Sequence, residues 1–517
     1  MMKIPYFMKP PMASDGRRYL SVLLNGACVA ITASICAMLH SVRRPTALLL
    51  VWFVLTLSFQ AAAQTTSLPA VVAKALAQAG IPENAAAIYV QEIGAQRPLI
   101  AVGAERAMNP ASVIKLLTTY AALELLGPAY AWTTEAYAAG KISQDVLVGD
   151  LVLKGSGDPK LTLENFWLLT RDLRGRGLRE IRGDLVLDRG HFAAADVEPA
   201  RFDDQPTRPY NTAPDALLIN FKSIRLNFVP DPEARTVRII PEPVLPQVQI
   251  VNQLALDSAP CGDWVARLKL DAQGAANAAR LAFTGSYSRD CGERVRHFSV
   301  LNHQQYLLGL FTQLWRGEGG VFAGGVRDGT APPEARLIAS LQSPALAEIV
   351  RDINKFSNNV MARHVFLTLG TAGAGAPATP EKANRVIRQW LTGKGLDFPE
   401  LVLENGSGLS RIERISAGNL AQLLLAAFKS AVMPELMASL PLAAVDGTMR
   451  KRLADAELAG QAHIKTGSLT GVRSIGGYVL DNRGRRVVVV MLVNHANAGN
   501  AQPVQDALLR WVYHRGD

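Results

Sequence analysis

Val487–Leu492 is a continuous apolar run near the end of the chain. A strand with one wet face alternates apolar and polar side chains, so an unbroken run demands cover on both faces. His463–Thr466 and Ile475–Leu480 read as strands before it, with a turn at Asp481–Gly484, and Gln502–Tyr513 reads as a closing helix. At the other end of the chain, Ala87–Val90 and Pro98–Val102 read as two short strands. Helical patterning falls between, at His303–Trp315, Ala345–Ile353 and the apolar runs after Asn384 and Ala417. Strands first, helices in the middle and strands last allow the two ends to share one sheet covered by helices.

Asn109-Pro110 opens a further helix, since Asn caps well and Pro suits the first helical position; Gly127-Pro128 stops it after Leu126. From about Ala131 to His297 the texture changes to short alternating strands. Within that stretch Gly149-Asp150-Leu151-Val152-Leu153 returns as Gly183-Asp184-Leu185-Val186-Leu187. Two copies are fewer than a solenoid needs. The stretch reads as one or two β-rich inserted domains.

The chain has 517 residues, 49% hydrophobic and 19% charged, which suits a sizeable core and two to four domains. Half of the net charge of +10 sits in residues 1–63, where Lys3, Lys9, Arg17, Arg18, Arg43 and Arg44 face Asp15 alone. The remaining surplus is too thinly spread for a nucleic-acid footprint. Arg43-Arg44, the apolar Thr46–Phe59 and Ala61-Ala62-Ala63 form the three parts of an export signal, with cleavage expected after Ala63. The apolar part is short for a spanning helix. Residues 1–37 do not fit a signal, so translation is expected to start at Met38; the alternative is an extension whose Tyr19–Leu39 segment adds an anchor. Cys261 and Cys291 are the only cysteines beyond the signal, and in an exported protein they are expected to pair, free thiols being the other option.

Three short motifs carry the chemistry. Ser112-Val113-Ile114-Lys115 is S-x-x-K, and on a helix positions i and i+3 share a face, so hydroxyl and amine meet. A lysine held in a partly dry site loses its charge more easily and can activate the serine. Ser357-Asn358-Asn359 is S-x-N: Ser357 can relay a proton, and the Asn359 amide can hold a substrate carbonyl or orient Lys115. Lys465-Thr466-Gly467-Ser468 contains K-T-G on an expected strand, offering positive potential, a hydroxyl for a carboxylate and room for a ligand backbone. Each motif alone has an ordinary explanation in a capped helix, a turn or a strand edge. Each occurs once, in this order, and in the context its chemistry needs, which is the signature of penicillin-recognising serine enzymes.

The chain resembles the low-molecular-mass class C penicillin-binding proteins, the D-alanyl-D-alanine carboxypeptidase/endopeptidase family. The resemblance rests on Asn109–Lys115, Gly149–Leu151, Gly155–Pro159, Lys355–Asn359, Asn405–Arg411, Pro441–Thr448 and Lys465–Leu469. The 245 positions from Ser112 to Ser357 match the extra domains of that family and exceed the span in compact β-lactamases. Glu404-Asn405 departs from the family, which usually has Asp before Gly-Ser-Gly-Leu-Ser-Arg.

The resemblance implies an α/β transpeptidase-like domain, an antiparallel sheet covered by helices, formed by residues 64–131 and 297–517. It also implies two β-rich inserts, one of residues 132–155 and 215–296, the other of residues 156–214. The implied activity is periplasmic cleavage of D-alanyl bonds in peptidoglycan stem peptides, at D-alanyl-D-alanine ends, at cross-links, or at both. Ser112 would be the acylated nucleophile and Lys115 its base. Ser357 and Asn359 would assist, and Lys465 with Thr466 would receive the terminal carboxylate. Gly467 would give room, and the amides of Ser112 and Ser468 would bind the oxyanion. β-Lactams would acylate Ser112 covalently. An aspartate that contacts the diaminopimelate side chain in relatives matches Asp204 in Phe202-Asp203-Asp204, the alternative being a solvated turn.

No cofactor, metal or nucleic acid is expected, and membrane contact is at most peripheral or through an uncleaved N-terminus. The chain has no G-x-S-x-G, H-E-x-x-H or G-x-x-x-x-G-K-[ST] sequence, and its eight His show no metal spacing. His463 beside K-T-G is expected to pack. The competing readings are a β-lactamase, which needs a base for fast deacylation, and a wall-binding protein with a dead site, against which the intact Ser112, Lys115, Ser357 and Lys465 speak.

Overall fold

The two ends of the chain meet in one five-stranded antiparallel sheet. In the computed structural model, residues 67–194, 202–275, 277–454 and 457–515 are described; the expected export signal and the Met38 start lie outside them. The strand order is Ala462–Leu469, Val472–Leu480, Arg486–Asn494, Ala86–Glu92 and Ile100–Val102. Ala86 faces Val493 and Glu92 faces Val487, so the first strand lies between the last strand and Ile100–Val102.

The apolar run behaves as its composition demands. Val488, Val490 and Leu492 pack into a core with helices Lys115–Leu125, Leu346–Phe356, Asn359–Ala374, Pro380–Gly393 and Ala417–Phe428. Val487, Val489, Met491 and Val493 point the other way, into a second core with helices Ala70–Gln78 and Gln502–His514. All seven side chains are fully buried. Each such burial contributes about 1.5–3 kcal/mol, which fixes the register, because a slip of one residue would exchange the two faces.

The β-rich insert forms a third core. Its largest sheet holds Thr133–Ser143, Val146–Gly155, Glu180–Ile181 and Leu185–Asp188. The repeated pentapeptides lie side by side there as parallel strands, with Leu151, Val152 and Leu153 opposite Leu185, Val186 and Leu187. Two three-stranded sheets and helices Leu163–Gly175 and His303–Gly317 complete the insert, and Cys261 is bonded to Cys291 within it.

Packing groups these segments differently from the expected boundaries. Strands on either side of position 155 share the large sheet, and strand Arg336–Gln342 pairs with Thr133–Ala138. Helix His303–Gly317 buries Tyr306, Leu310, Phe311 and Trp315 against the insert. Its amphipathic pattern identifies a helix but carries no mark of which core it covers. The covering helices of the end-to-end sheet resume only at Leu346. Among the described residues no helix is long and apolar enough to cross a membrane.

Candidate active site

Ser112 lies in a tight helical turn, Ala111–Ile114, that leads into helix Lys115–Leu125. Asn109 builds this entry. Its side-chain oxygen accepts from the Ala111 amide at 2.8 Å, its side-chain nitrogen donates to the Ser410 carbonyl at 2.9 Å, and its backbone exchanges two bonds with the Asn494 side chain. Ala111 has φ of 45°, which a non-glycine residue holds only when its surroundings enforce it.

One turn later, Lys115 Nζ lies 2.9 Å from Ser112 Oγ and 2.6 Å from Asn359 Oδ1, and it also bonds the Ser407 carbonyl. Lys115 is completely buried. Burial, followed by the neighbouring Lys465, holds its pKa well below the ordinary lysine value; Glu413 pulls it up and Arg363 adds to the lowering.

Helix Leu346–Phe356 ends at Ser357, whose φ of 56° turns the chain, and Asn358 caps the next helix by accepting from the Met361 amide at 3.1 Å. This junction sends Ser357 and Asn359 to one side. Lys465 donates to Ser357 Oγ at 2.9 Å and to the Thr466 carbonyl at 2.8 Å. Its burial lowers its pKa to about 7. Thr466 Oγ1 donates to Thr448 Oγ1 at 2.7 Å.

The strand bearing these residues is the edge of the sheet, and it runs directly past Ser112. A β-carbon on Gly467 would fall 2.2 Å from Ser474 Oγ and 2.8 Å from the Pro110 carbonyl oxygen. Ser468, next along, is exposed. Lys115 therefore joins Ser112 and Asn359, and Lys465 joins Ser357; the two lysines are near enough for Lys465 to lower the pKa of Lys115, with Thr466 and Gly467 beside them. His463 packs, its Nδ1 lying 3.2 Å from the Met437 carbonyl oxygen.

The Phe202–Asp204 turn touches the Asn405–Arg411 segment: the Arg411 guanidinium stacks 4.6 Å above the Phe202 ring. Asp203 is spent within the turn, accepting from the Tyr210 hydroxyl and the Asn211 amide, both at 2.7 Å. Asp204 is exposed, with φ of 56°.

Sequence reasoning does not single out Ser407, Thr448 or Glu413. The first two lie within segments that carry the family resemblance, but a backbone acceptor leaves no residue-type signal. Glu413 is fully buried, and one carboxylate oxygen accepts from the amides of Glu404, Asn405 and Gly406 at 3.2, 3.0 and 2.8 Å, shaping the loop that presents the Ser407 carbonyl.

An antiparallel sheet between helical layers, with a serine–lysine pair at a helix start beside its edge strand, is the penicillin-binding, transpeptidase-like fold. Penicillin binding protein 4 from Haemophilus influenzae superposes with a TM-score of 0.72 at 25% identity, over 86% of this chain and 99% of that one. A second structure of that protein, in complex with a β-lactam, superposes with a TM-score of 0.69 over the same shares, also at 25% identity.

The chain belongs to the D-Ala-D-Ala carboxypeptidase 3 (S13) family, whose sequence profile matches residues 68–514. The D-alanyl-D-alanine carboxypeptidase DacB of Haemophilus influenzae is 26% identical over 76% of this chain and 82% of its own length. The D-alanyl-D-alanine carboxypeptidase of Actinomadura sp. (strain R39) is 29% identical over 77% of this chain and 76% of its own.

Proposed function

We propose that the protein is a periplasmic serine DD-peptidase that hydrolyses D-alanyl-D-alanine termini, D-alanyl-diaminopimelate cross-links, or both, through an acyl-enzyme on Ser112. The observation that carries this reading is the hydrogen-bond inventory of Lys115. A neutral amine has two N–H groups and one lone pair. Two of the three neighbours of Lys115, the Asn359 amide oxygen and the Ser407 carbonyl, can only accept. In the neutral state those two acceptors take both N–H groups, so the lone pair is left for the Ser112 hydroxyl, whose Oγ lies 2.9 Å away.

Lys115 takes the Ser112 proton as Oγ bonds to the D-alanyl carbonyl carbon. The amides of Ser112 and Ser468 receive the developing oxyanion, a role in which one donor is worth about 10²–10³ in rate. As the peptide bond breaks, the leaving amine takes a proton through Ser357. Lys465 and Thr466 hold the terminal carboxylate, and Asp204 faces the ammonium end of a diaminopimelate side chain. Water then attacks the ester and frees Ser112. Penicillins enter by the same route, and their adduct is released slowly.

Digestion of purified monomeric and cross-linked muropeptides, read by product mass, tests the reading. Loss of terminal D-alanine or conversion of dimers to monomers is expected, and Ser112→Ala is expected to abolish both, together with fluorescent-penicillin labelling. Labelling that survives Ser112→Ala would place the nucleophile elsewhere. A penicillin adduct that turns over within seconds would make the protein a β-lactamase, and an intact but inert protein would make it a wall-binding one.

A further inference from the structure

Lys355 is buried in the last turn of helix Leu346–Phe356, two residues before Ser357, yet it touches none of the reacting groups. Its ammonium donates to the Leu440 carbonyl at 2.6 Å and lies 2.9 and 2.7 Å from the two carboxylate oxygens of Asp446. Asp446 Oδ1 also accepts from the Leu442 amide at 2.8 Å. The Pro441–Thr448 turn is thus tied from inside to the helix that delivers Ser357.

The turn is tied on its other side to the K-T-G strand. The Ile464 amide donates to the Pro441 carbonyl at 2.8 Å, and the Ala443 amide donates to the Ala462 carbonyl at 2.9 Å. This pairing stops before Lys465 and leaves the rest of the edge open. At Gly447, φ is 56° and a β-carbon would stand 2.6 Å from the Lys355 carbonyl oxygen, so the backbone closes tightly over Lys355. The next residue is Thr448, exposed, its hydroxyl accepting from Thr466 at 2.7 Å.

We infer that Lys355 is a positioning residue for carboxylate recognition: through Asp446 it fixes the turn that sets the Thr448 hydroxyl against Thr466, and Thr448 is a further contact for the terminal carboxylate of the substrate. An ammonium buried against one carboxylate and one carbonyl is a rigid joint, because breaking it strands a charge. A helix C-terminus favours a cation at that place. The two threonine hydroxyls are bonded to one another, and Thr466 directly follows Lys465 on the edge strand, so a carboxylate bound by the pair would lie next to the residue that carries the positive potential. The inference rests on the reading of Ser112 and Lys465 given above.

The test compares wild type, Lys355→Met, Asp446→Asn and Thr448→Val on a peptide ending in D-Ala-D-Ala and on the same peptide with a C-terminal amide. Saturation kinetics of acylation by fluorescent penicillin are measured in parallel. The expected result is a rise of about tenfold in KM for the acid-ended peptide, a kcat changed by less than about threefold, and no change in KM for the amide. For penicillin, the concentration giving half-maximal acylation rate rises while the maximal rate holds. Thr448→Val removes only a surface hydroxyl, so it decides the matter if Lys355→Met fails to fold. Equal rises for acid and amide, a loss confined to kcat, or a Thr448→Val protein identical to wild type would overturn the inference. A wild-type protein that neither labels nor hydrolyses would instead overturn the reading of Ser112.

Discussion

Gly467 is pressed against Ser112: a β-carbon at position 467 would stand 3.0 Å from the Ser112 amide nitrogen. The edge strand and the turn bearing Ser112 are therefore seated on one another with no side chain between them. Gly467→Ala must push them apart, and displacements near 1 Å at a reacting centre cost about 10²-fold. Acylation by penicillin is expected to slow by at least about tenfold, with the melting temperature little changed because only one strand edge moves. Stopped-flow labelling beside a thermal melt checks this; full-speed acylation would show that the spacing is unimportant.

Lys115→Met removes the proposed base but keeps the length of the side chain. Acylation is expected to fall by about 10²–10⁴-fold, the range for loss of a positioned proton acceptor. Stability is expected to hold or rise, because a buried amine gives way to an apolar group of similar size. Urea unfolding of both proteins reads the second effect. A large loss of stability would mean that Lys115 is chiefly a structural bridge between Asn359 and Ser407.

The two lysines predict a bell-shaped dependence of kcat/KM on pH. Lys115 must be neutral to accept a proton, so the rate climbs as pH rises through its lowered pKa. Lys465 must be charged to attract a carboxylate, so the rate declines as pH passes about 7. The two amines interact, so the limbs belong to the pair. Lys465→Arg stays charged throughout and is expected to move the declining limb upward; an unchanged limb would assign it to another group.

Asp158 gives a prediction about stability. Burial raises its carboxyl from 3.8 to about 6, against the lowering effects of the Lys160 amide and ammonium. Between those two values the folded protein holds a proton that the unfolded chain has released. Stability therefore falls as pH rises through this window, and the whole penalty is present above about 6. Asp158→Asn keeps an acceptor for the Lys160 amide and removes the charge. It is expected to stabilise the protein by about 2–3 kcal/mol at pH 7 and by much less at pH 4. Urea midpoints at the two pH values check the difference; equal midpoints for the two proteins at pH 7 would refute it.

The end-to-end sheet is legible from sequence because Val487–Leu492 cannot be covered on one face only, and its outcome is seen in the split of alternate residues between two cores. Ser112, Lys115, Ser357, Asn359 and Lys465 are legible because their chemistry needs those side chains in those local settings. The Ser407 carbonyl is not, since any residue could supply it. Thr448 is not, since its place depends on Lys355, 93 positions upstream, reaching Asp446. The grouping of His303–Gly317 and Arg336–Gln342 with the insert escapes periodicity, which reports that a face is buried and not which neighbour buries it.

Strand Ala86–Glu92 is held between Ile100–Val102 and Arg486–Asn494, and Val487 closes the register at Glu92. A nascent chain that has not yet released its final segment leaves that early strand with one edge open and the edge strand bearing Lys465 without its sheet. Activity therefore depends on strand Arg486–Asn494: fragments that lack it contain the whole S-x-x-K turn and most of the helical layer, yet leave the strand bearing Lys465 without the sheet that seats it against Ser112. Such fragments also present an unpaired, strongly apolar strand, which makes them natural prey for proteases and chaperones rather than weak enzymes.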